Sequence, residues 1–266
     1  MNVLTIKQAL TGLPIGDIRF FDTVGSTNDE AMRWMQTNPP NLSLVLADEQ
    51  TQGRGRTGRR WLTPRGAALA VSVILHPAQI SLDTLPLING VGALAVSEGL
   101  RHLGLAPMIK WPNDVLLNGL KVAGILPESQ WMGEQLRGVV LGIGINILRA
   151  SVPPAETVHF PAGCVEDALG RPIARETVLR EVIVALLEWL GHLGTPWLVH
   201  SWENQLAFRG EMVRVVPPVG DAVEGLLSGL TIEGNLRLRV DGEVQVFTAG
   251  EIHLRPSHSP LSNQLS

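Results

Sequence analysis

Apolar positions along the chain fall into two kinds of pattern, and the change from one to the other marks its organisation. Unbroken apolar runs at 42–47 (LSLVLA) and 67–75 (AALAVSVIL) predict short buried strands. Residues 26–29 read S-T-N-D, a capping-box pattern with Asp in place of Glu, which predicts a helix through about residue 37. Ala31, Met32 and Met35 would form its buried side, and Asn38-Pro39-Pro40 would end it. Leu, Ile and Val recur at helical spacing over 84–103, with Gly104 as the stop. Amphipathic helices are predicted over 176–193 and 196–207. Between these lie the segment MIKW (108–111) and strand candidates at 114–117, 121–126 and 136–145. Pro127 is expected to end or bulge the second of them.

After about residue 208 the pattern becomes a strict alternation. Segments 211–216, 223–230, 235–240 and 244–248 alternate apolar and polar residues. Turn signals at Pro217-Pro218, Glu233-Gly234-Asn235 and Asp241-Gly242 separate them. This predicts a small all-β barrel or sandwich of about 50 residues. The final polar stretch, 257–266, reads as a disordered tail. There is no internal repeat.

Composition narrows the classes. The chain has 266 residues, room for one large domain or a domain with a small appendage. Apolar residues make up 45% and charged residues 17%, which suits a packed core and argues against disorder. The net charge of −4 argues against a protein that coats nucleic acid. The single cysteine, Cys164, cannot form an internal disulfide, and no C-x-x-C metal pair exists. Cys164 reads as a small core residue. The N-terminus lacks a basic start and a sustained apolar run, and no stretch reaches the roughly 20 residues of a membrane span. The expected location is cytoplasmic. Of the 21 Lys and Arg residues only Lys7, Lys110 and Lys121 are lysine, so a lysine here is a choice of chemistry more than of solubility.

Three segments carry candidate chemistry. G-R-G-R-T-G-R-R-W at 53–61, with Arg65, concentrates positive charge, and no acid occurs between Glu49 and Asp83. Its glycines let the backbone approach a ligand, and guanidinium forks with backbone N–H groups make an anion site. By itself the segment is also compatible with a solvated basic loop or a nucleic-acid patch. It is not a Walker loop, because no G-K-[ST] occurs. K-W-P-N-D at 110–114, followed by G-L-K-V-A-G-I-L at 119–126, would bring Lys110 and Lys121 together if 114–117 and 121–126 form a hairpin. Its Pro-Asn-Asp is equally an ordinary turn. G-I-G-I-N-I at 142–147 places glycines at alternate positions of a strand, which suggests close approach of another backbone or a ligand. Asn146 at its end could bond a nucleotide or simply close the strand.

Taken together, in this order and at these separations, the three segments resemble the biotin protein ligase family. Ser26-Thr27-Asn28 matches the family's early S-T-N signature, and the likeness runs from about residue 20 to G-E-I-x-L-R at 250–255. The resemblance implies an α+β fold, a mixed α/β sandwich with a core like that of class II aminoacyl-tRNA synthetases, followed by an SH3-like β-barrel. The implied division is a catalytic domain over 1–207, the barrel over 208–256 and the tail over 257–266. It implies ATP-dependent activation of biotin to biotinyl-5'-AMP, then transfer to a lysine of the biotin carboxyl carrier protein of acetyl-CoA carboxylase. Mg²⁺ would accompany the triphosphate, with no separate protein metal site.

Residue roles follow from motif matching. Ser26, Thr27 and Asn28 would bind the ureido head of biotin. Gln50, Arg54, Gly55 and Arg56 would line the biotin pocket and close over the product. Lys121 would contact the biotin carboxylate and then the mixed anhydride. Arg59, Asn113 and Asn146 would bind the nucleotide, with Arg56 alongside, and Lys110 the phosphates. Trp61 would anchor the loop and contact ATP, Asp114 would orient or deprotonate the incoming amine, and Lys121, Arg54, Lys110 and Asp114 would be the catalytic set. Thr57 sits where some relatives carry Arg, and the segment after Asn146 should cover the adenylate.

The family has a form with an N-terminal DNA-binding domain. About 20 residues precede the matching region here, against roughly 60 for such a domain, so the expectation is the monofunctional form with no DNA partner. Relatives are often homodimers. Two other readings compete: a lipoate or octanoate ligase of the same superfamily, and a non-enzymatic regulator that binds biotinyl-adenylate. A nucleic-acid-binding protein using the arginine loop is disfavoured by the acidic net charge.

Overall fold

The computed structural model describes residues 1–158, 160–216, 220–248 and 253–256. The chain opens with a helix α1 (Val3–Ala9) and strand β1 (Ile18–Phe21), then α2 (Thr27–Met35), β2 (Leu44–Ala47) and β3 (Ala68–Leu75). The long helix α3 (Ile88–His102) leads into β4 (Met108–Lys110), β5 (Asp114–Leu117), β6 (Leu120–Met132) and β7 (Gln135–Asn146). Helices α4 (Val165–Leu169), α5 (Arg175–Gly191) and α6 (Pro196–Asn204) follow. The chain then enters β8 (Met212–Val216), β9 (Val223–Leu230), β10 (Leu236–Val240), β11 (Glu243–Phe247) and β12 (His253–Pro256).

The first seven strands form one sheet in the order β1-β2-β3-β7-β6-β5-β4. Only β1 and β2 run parallel; the other neighbours are antiparallel. Because side chains alternate across a strand, each central strand serves two environments. On β3 and β7 the odd positions Leu69, Val71, Val73, Val139, Leu141, Ile143 and Ile145 enter the main core. Helices α3 and α5 pack on each other and cover that face. Val178, Leu179, Val182, Ile183 and Leu186 give α5 its buried stripe. The opposite face carries a smaller cluster under α2, in which Ala31, Trp34 and Met35 meet Val45, Ile74 and Val140. The remainder of that face is the floor of a cavity.

The second sheet, in the order β11-β10-β9-β8-β12, is antiparallel throughout. Its inward positions Val213, Val215, Leu227, Leu230, Leu236 and Leu238 belong to the same contiguous core as the large sheet. Trp202 of α6 is fully buried there, lying against Gly90 of α3 and Gly234 of the β9–β10 turn. Gly234 has φ +80°, and its carbonyl accepts a hydrogen bond from Trp111 Nε1 at 2.9 Å. Glu203 ties α6 to this sheet through Arg237 (3.2 Å) and the Leu230 amide (2.7 Å), and holds Arg209 (2.6 Å) of the link before β8.

Three local expectations are corrected. Pro127 neither ends nor bulges β6, which runs on to Met132, paired with β7, with its register shift at Gln130/Trp131. Beyond Gly124 the strand has β7 on one side only, an edge position where a proline is tolerated. Ser26 is the N-cap of α2 by position, but its side chain makes no capping bond; it lines the cavity instead. Within α2, Met32 is half-buried, and Trp34 rather than Met32 joins Ala31 and Met35 in the core. The tail at 257–266 and the first half of the G-E-I-x-L-R segment lie outside the described residues.

Candidate functional site

The cavity, about 770 Å³, lies on the α2 side of the large sheet. Its floor is made of the even positions of the strands whose odd positions build the core. Ala70, Gly142, Gly144 and Asn146 line it, with Gly124 from β6. The two glycines of G-I-G-I-N leave room for side chains rather than for backbone. A Cβ on Gly144 would collide with the Trp61 indole, and one on Gly142 with the Asn28 amide. The alternation thus lays an aromatic plate and an amide onto the sheet.

The S-T-N segment is fixed by a chain of polar contacts. Ser72 Oγ lies 2.6 Å from Asn28 Oδ1 and 2.8 Å from Thr27 Oγ1. Gln50 Oε1 accepts from the Thr27 amide (2.8 Å) and hydroxyl (3.1 Å), while its Nε2 donates to Thr63 Oγ1 (2.9 Å). Asn28 Nδ2 donates to Leu126 O (3.1 Å) and to Glu128 Oε2 (2.6 Å). A buried polar network satisfied this fully holds its members in one geometry.

Across the cavity, β4, β5 and β6 do what the lysine spacing suggested. Lys110 pairs with Asp114 across the β4–β5 turn, and Leu116 with Lys121 across β5–β6. Both ammonium groups reach one carboxylate: Lys121 Nζ lies 2.6 Å from Asp114 Oδ1, and Lys110 Nζ 3.4 Å from Oδ2. Burial pushes the Asp114 carboxyl up. The attraction of Lys121, then of Lys110, and their hydrogen bonds outweigh it, and the net direction is down. The Lys121 backbone is clamped by Pro161 O (2.8 Å) and the Gly163 amide (3.0 Å). Asn146 Nδ2 donates to Gly163 O at 3.1 Å, and Lys110 Nζ lies 5.0 Å from the Phe160 ring.

The arginine–glycine loop forms the near wall. Trp61 stacks over Gly144, 5.7 Å from Lys121 Nζ, and its buried Nε1 has no hydrogen-bond partner among the described residues. Arg56 turns inward: Nη1 donates to Asn113 Oδ1 at 3.3 Å, and Asn113 Nδ2 donates to Ile125 O at 2.7 Å. Burial lowers the Arg56 guanidinium from its usual value, Asp114 opposes this and Arg59 adds to it. Arg54 turns outward to Asp29 (2.5 Å) and Glu128 (2.9 Å). The loop is therefore not left without counter-charge, although no acid occurs between Glu49 and Asp83; Arg65 likewise meets Glu49. Ser151, Pro153, Pro154, Thr157 and Val158, from the segment after Asn146, complete the far wall.

Residues 20–146 match the family described as the biotin/lipoate A/B protein ligase family. The biotin–[acetyl-CoA-carboxylase] ligase of Paracoccus denitrificans is 36% identical over 241 residues, covering 85% of this chain and 96% of the relative. The chain belongs to the biotin protein ligase family. The bifunctional ligase/repressor BirA of Bacillus spizizenii is 32% identical over 238 residues, covering 88% of this chain and 72% of that protein. Among solved structures, the biotin protein ligase from Aquifex aeolicus in complex with biotin and ATP superposes with a TM-score of 0.77 at 29% identity. That match covers 91% of this chain and 99% of the other. The mixed α/β architecture around one large sheet is thus that of biotin protein ligases, and the chain is a ligase.

The fold brings every candidate site residue named by motif matching to this one cavity. Ser26, Thr27, Asn28, Gln50, Arg54, Gly55, Arg56, Arg59 and Trp61 line it on the α2 side; Lys110, Asn113, Asp114, Lys121 and Asn146 line it on the other. Sequence reasoning missed Asp29, Ser72, Thr63 and Glu128, which hold those residues from behind. Asp29 carries a signal, since it belongs to S-T-N-D, but the pattern points to a cap rather than to an ion pair. Cys164 is buried, as expected, and burial pushes its thiol up. No helix among the described residues is long and apolar enough to cross a membrane.

Proposed function

We propose that this chain condenses biotin with ATP and passes the acyl group to a lysine of a biotin carboxyl carrier domain. The observation that carries the reading is the pair of lysines on Asp114, facing the arginine–glycine loop across a cavity of this size. In the first step the biotin carboxylate attacks the α-phosphorus, the bond to the β-phosphate oxygen breaks and pyrophosphate leaves. Two anions must meet, so fixed cations lower their repulsion and stabilise charge on the phosphorane oxygens. Lys121 and Arg56 are the cations for the carboxylate and the forming anhydride, Lys110 and Arg59 for the phosphates. In the second step a lysine amine attacks the acyl carbonyl and AMP departs; Lys121 then faces the developing oxyanion.

The floor suits the other end of the substrate. Ser26, Thr27 and Asn28 offer fixed donors and acceptors to a ureido ring, with Gln50 behind them and Gly55 giving the loop close approach. Trp61 contributes a flat apolar plate and an N–H with no partner among the described residues. Asn113 and Asn146 lie where a nucleotide would run. Asp114, held below the usual carboxylate range by two ammonium groups, is a weak proton acceptor, so we assign it to orienting the lysines rather than to deprotonating the amine. Mg²⁺ is read as the triphosphate's own counterion.

We read residues 1–207 as a catalytic domain with a core like that of class II aminoacyl-tRNA synthetases, and 208–256 as an SH3-like barrel. Support comes from the two separate sheets and the change of pattern between them. The test is incubation with ATP, biotin and a carrier domain, with mass spectrometry on the carrier lysine and lipoate as the competing acid. Biotin-dependent pyrophosphate release followed by a biotinylated carrier is expected. A lipoylated carrier, or tight adenylate binding without transfer, would replace this reading.

A further inference from the structure

One acidic side chain outside every motif joins the floor of the cavity to its rim. Glu128 lies on β6, and its Oε2 accepts from Asn28 Nδ2 at 2.6 Å and from Arg54 Nη2 at 2.9 Å. The other acceptor on the Asn28 amide nitrogen is Leu126 O at 3.1 Å. A carbonyl and an ionised carboxylate can only accept, so the nitrogen must face them. Asn28 Oδ1 is then fixed beside Ser72, and its second lone pair is the amide's remaining hydrogen-bonding capacity. That suits a ligand N–H donor. Gly142 lies beneath the amide and gives it room, since a Cβ there would collide with it.

At the rim the same oxygen holds the arginine–glycine loop. Arg54 reaches Glu128 and Asp29 with one nitrogen, Nη2, and so ties the loop to both β6 and α2. We propose that Glu128 is a positioning residue that couples the two: one carboxylate oxygen sets the Asn28 amide to receive an N–H donor and, through Arg54, latches the loop in the ligand-free enzyme. The ligand class rests on the functional reading above, whereas the latch does not. Both Arg54 contacts are partly open to solvent, with side-chain exposures of 42% for Arg54 and 25% for Glu128, so the latch is weak enough to open.

The two roles separate by substitution. Glu128→Gln keeps an oxygen acceptor for Asn28 but removes the charge that holds Arg54. Glu128→Ala removes both. The loop carries its own reporter, because trypsin cuts after Arg54, Arg56, Arg59 and Arg60. The full-length, ligand-free chain is digested briefly, loop cleavage is followed by mass spectrometry, and biotin affinity is measured by titration calorimetry, with circular dichroism melts confirming the fold.

Loop cleavage is expected to speed up about threefold in both variants, a small effect because the ion pairs are partly solvated. Biotin affinity should stay within about twofold in Glu128→Gln and fall about tenfold in Glu128→Ala, where the amide loses its charged acceptor. Parental cleavage rates in both variants overturn the latch, and parental affinity in Glu128→Ala overturns the positioning of Asn28. If the parent binds no biotin, the functional reading fails while the digestion still decides the latch.

Discussion

Two ion clusters line the same cavity with similar chemistry and opposite settings. At its base, Asp114 is 12% exposed and holds Lys110 and Lys121, both carried on a three-stranded meander. At its rim, Arg54 holds Asp29 and Glu128 with side chains 42%, 45% and 25% exposed. The base cluster is pinned by strand pairing and by the clamp on the Lys121 backbone; the rim cluster joins a loop to a helix and a strand edge. Burial makes the first a fixed array of charge and solvent makes the second a reversible fastening. A site that must both preorganise charge and admit a substrate needs one of each.

The sharpest way to break the comparison is to remove the carboxylate. Asp114→Ala leaves two partly buried ammonium groups facing each other and should lower stability by about 3 kcal/mol, read from urea unfolding. A loss below about 1 kcal/mol would make the base cluster no different from the rim. Next comes Lys121→Ala, which should slow carrier biotinylation roughly 100-fold, a loss of about 2–4 kcal/mol of transition-state stabilisation. Single-turnover kinetics on purified adenylate would separate this from weaker biotin binding, and full activity would remove Lys121 from the mechanism.

Acidity sharpens the contrast further. The folded-state pKa of Asp114 is below its unfolded value, so its pairing contributes fully above the unfolded value of roughly 3.9 and is lost as pH falls towards the folded one. Between about pH 5 and pH 3 the parent should therefore lose stability more steeply than Asp114→Ala. Parallel urea midpoints in the two proteins would deny the depressed pKa. The smallest effect on stability is expected from Arg54→Gly, less than about 1 kcal/mol, because its ion pairs are exposed. Its consequence should be kinetic: the adenylate leaves sooner and lysines of bystander proteins become labelled. Labelling confined to the carrier, with an unchanged adenylate off-rate, would show that Arg54 does not fasten the loop.

Much of this was legible in the sequence because apolar spacing fixes which face of a strand is buried. The runs at 67–75 and 136–145 gave β3 and β7, and lysine spacing across a turn brought Lys110 to Lys121. What stayed hidden depends on contacts between distant segments. Arg54 finds its counter-charges on α2 and β6, far along the chain, so the local absence of acids was misleading. Ser26 looked like a cap because its type suits one, yet the cavity claims it. The short elements α1 and β1 carry too few residues for a periodic signal. Pro127 was misjudged because only strand order reveals that β6 lacks a second neighbour there. The glycines of G-I-G-I-N signalled close approach, but not that the approaching groups would be Trp61 and Asn28.

The tryptophan pair behind the K-W-P-N-D turn bears on how the molecule melts. Trp202 is packed against a glycine of α3 and one of the β9–β10 turn, and Trp111 bonds the carbonyl of that same turn. With one apolar core running across both sheets, neither can lose its packing while the other keeps it. The chain should accordingly show a single calorimetric peak whose van't Hoff and calorimetric enthalpies agree, rather than two steps. Hydrogen exchange at the β9–β10 turn should then follow global unfolding, as slow as at the centre of the large sheet, although the turn lies at the far end of the sequence.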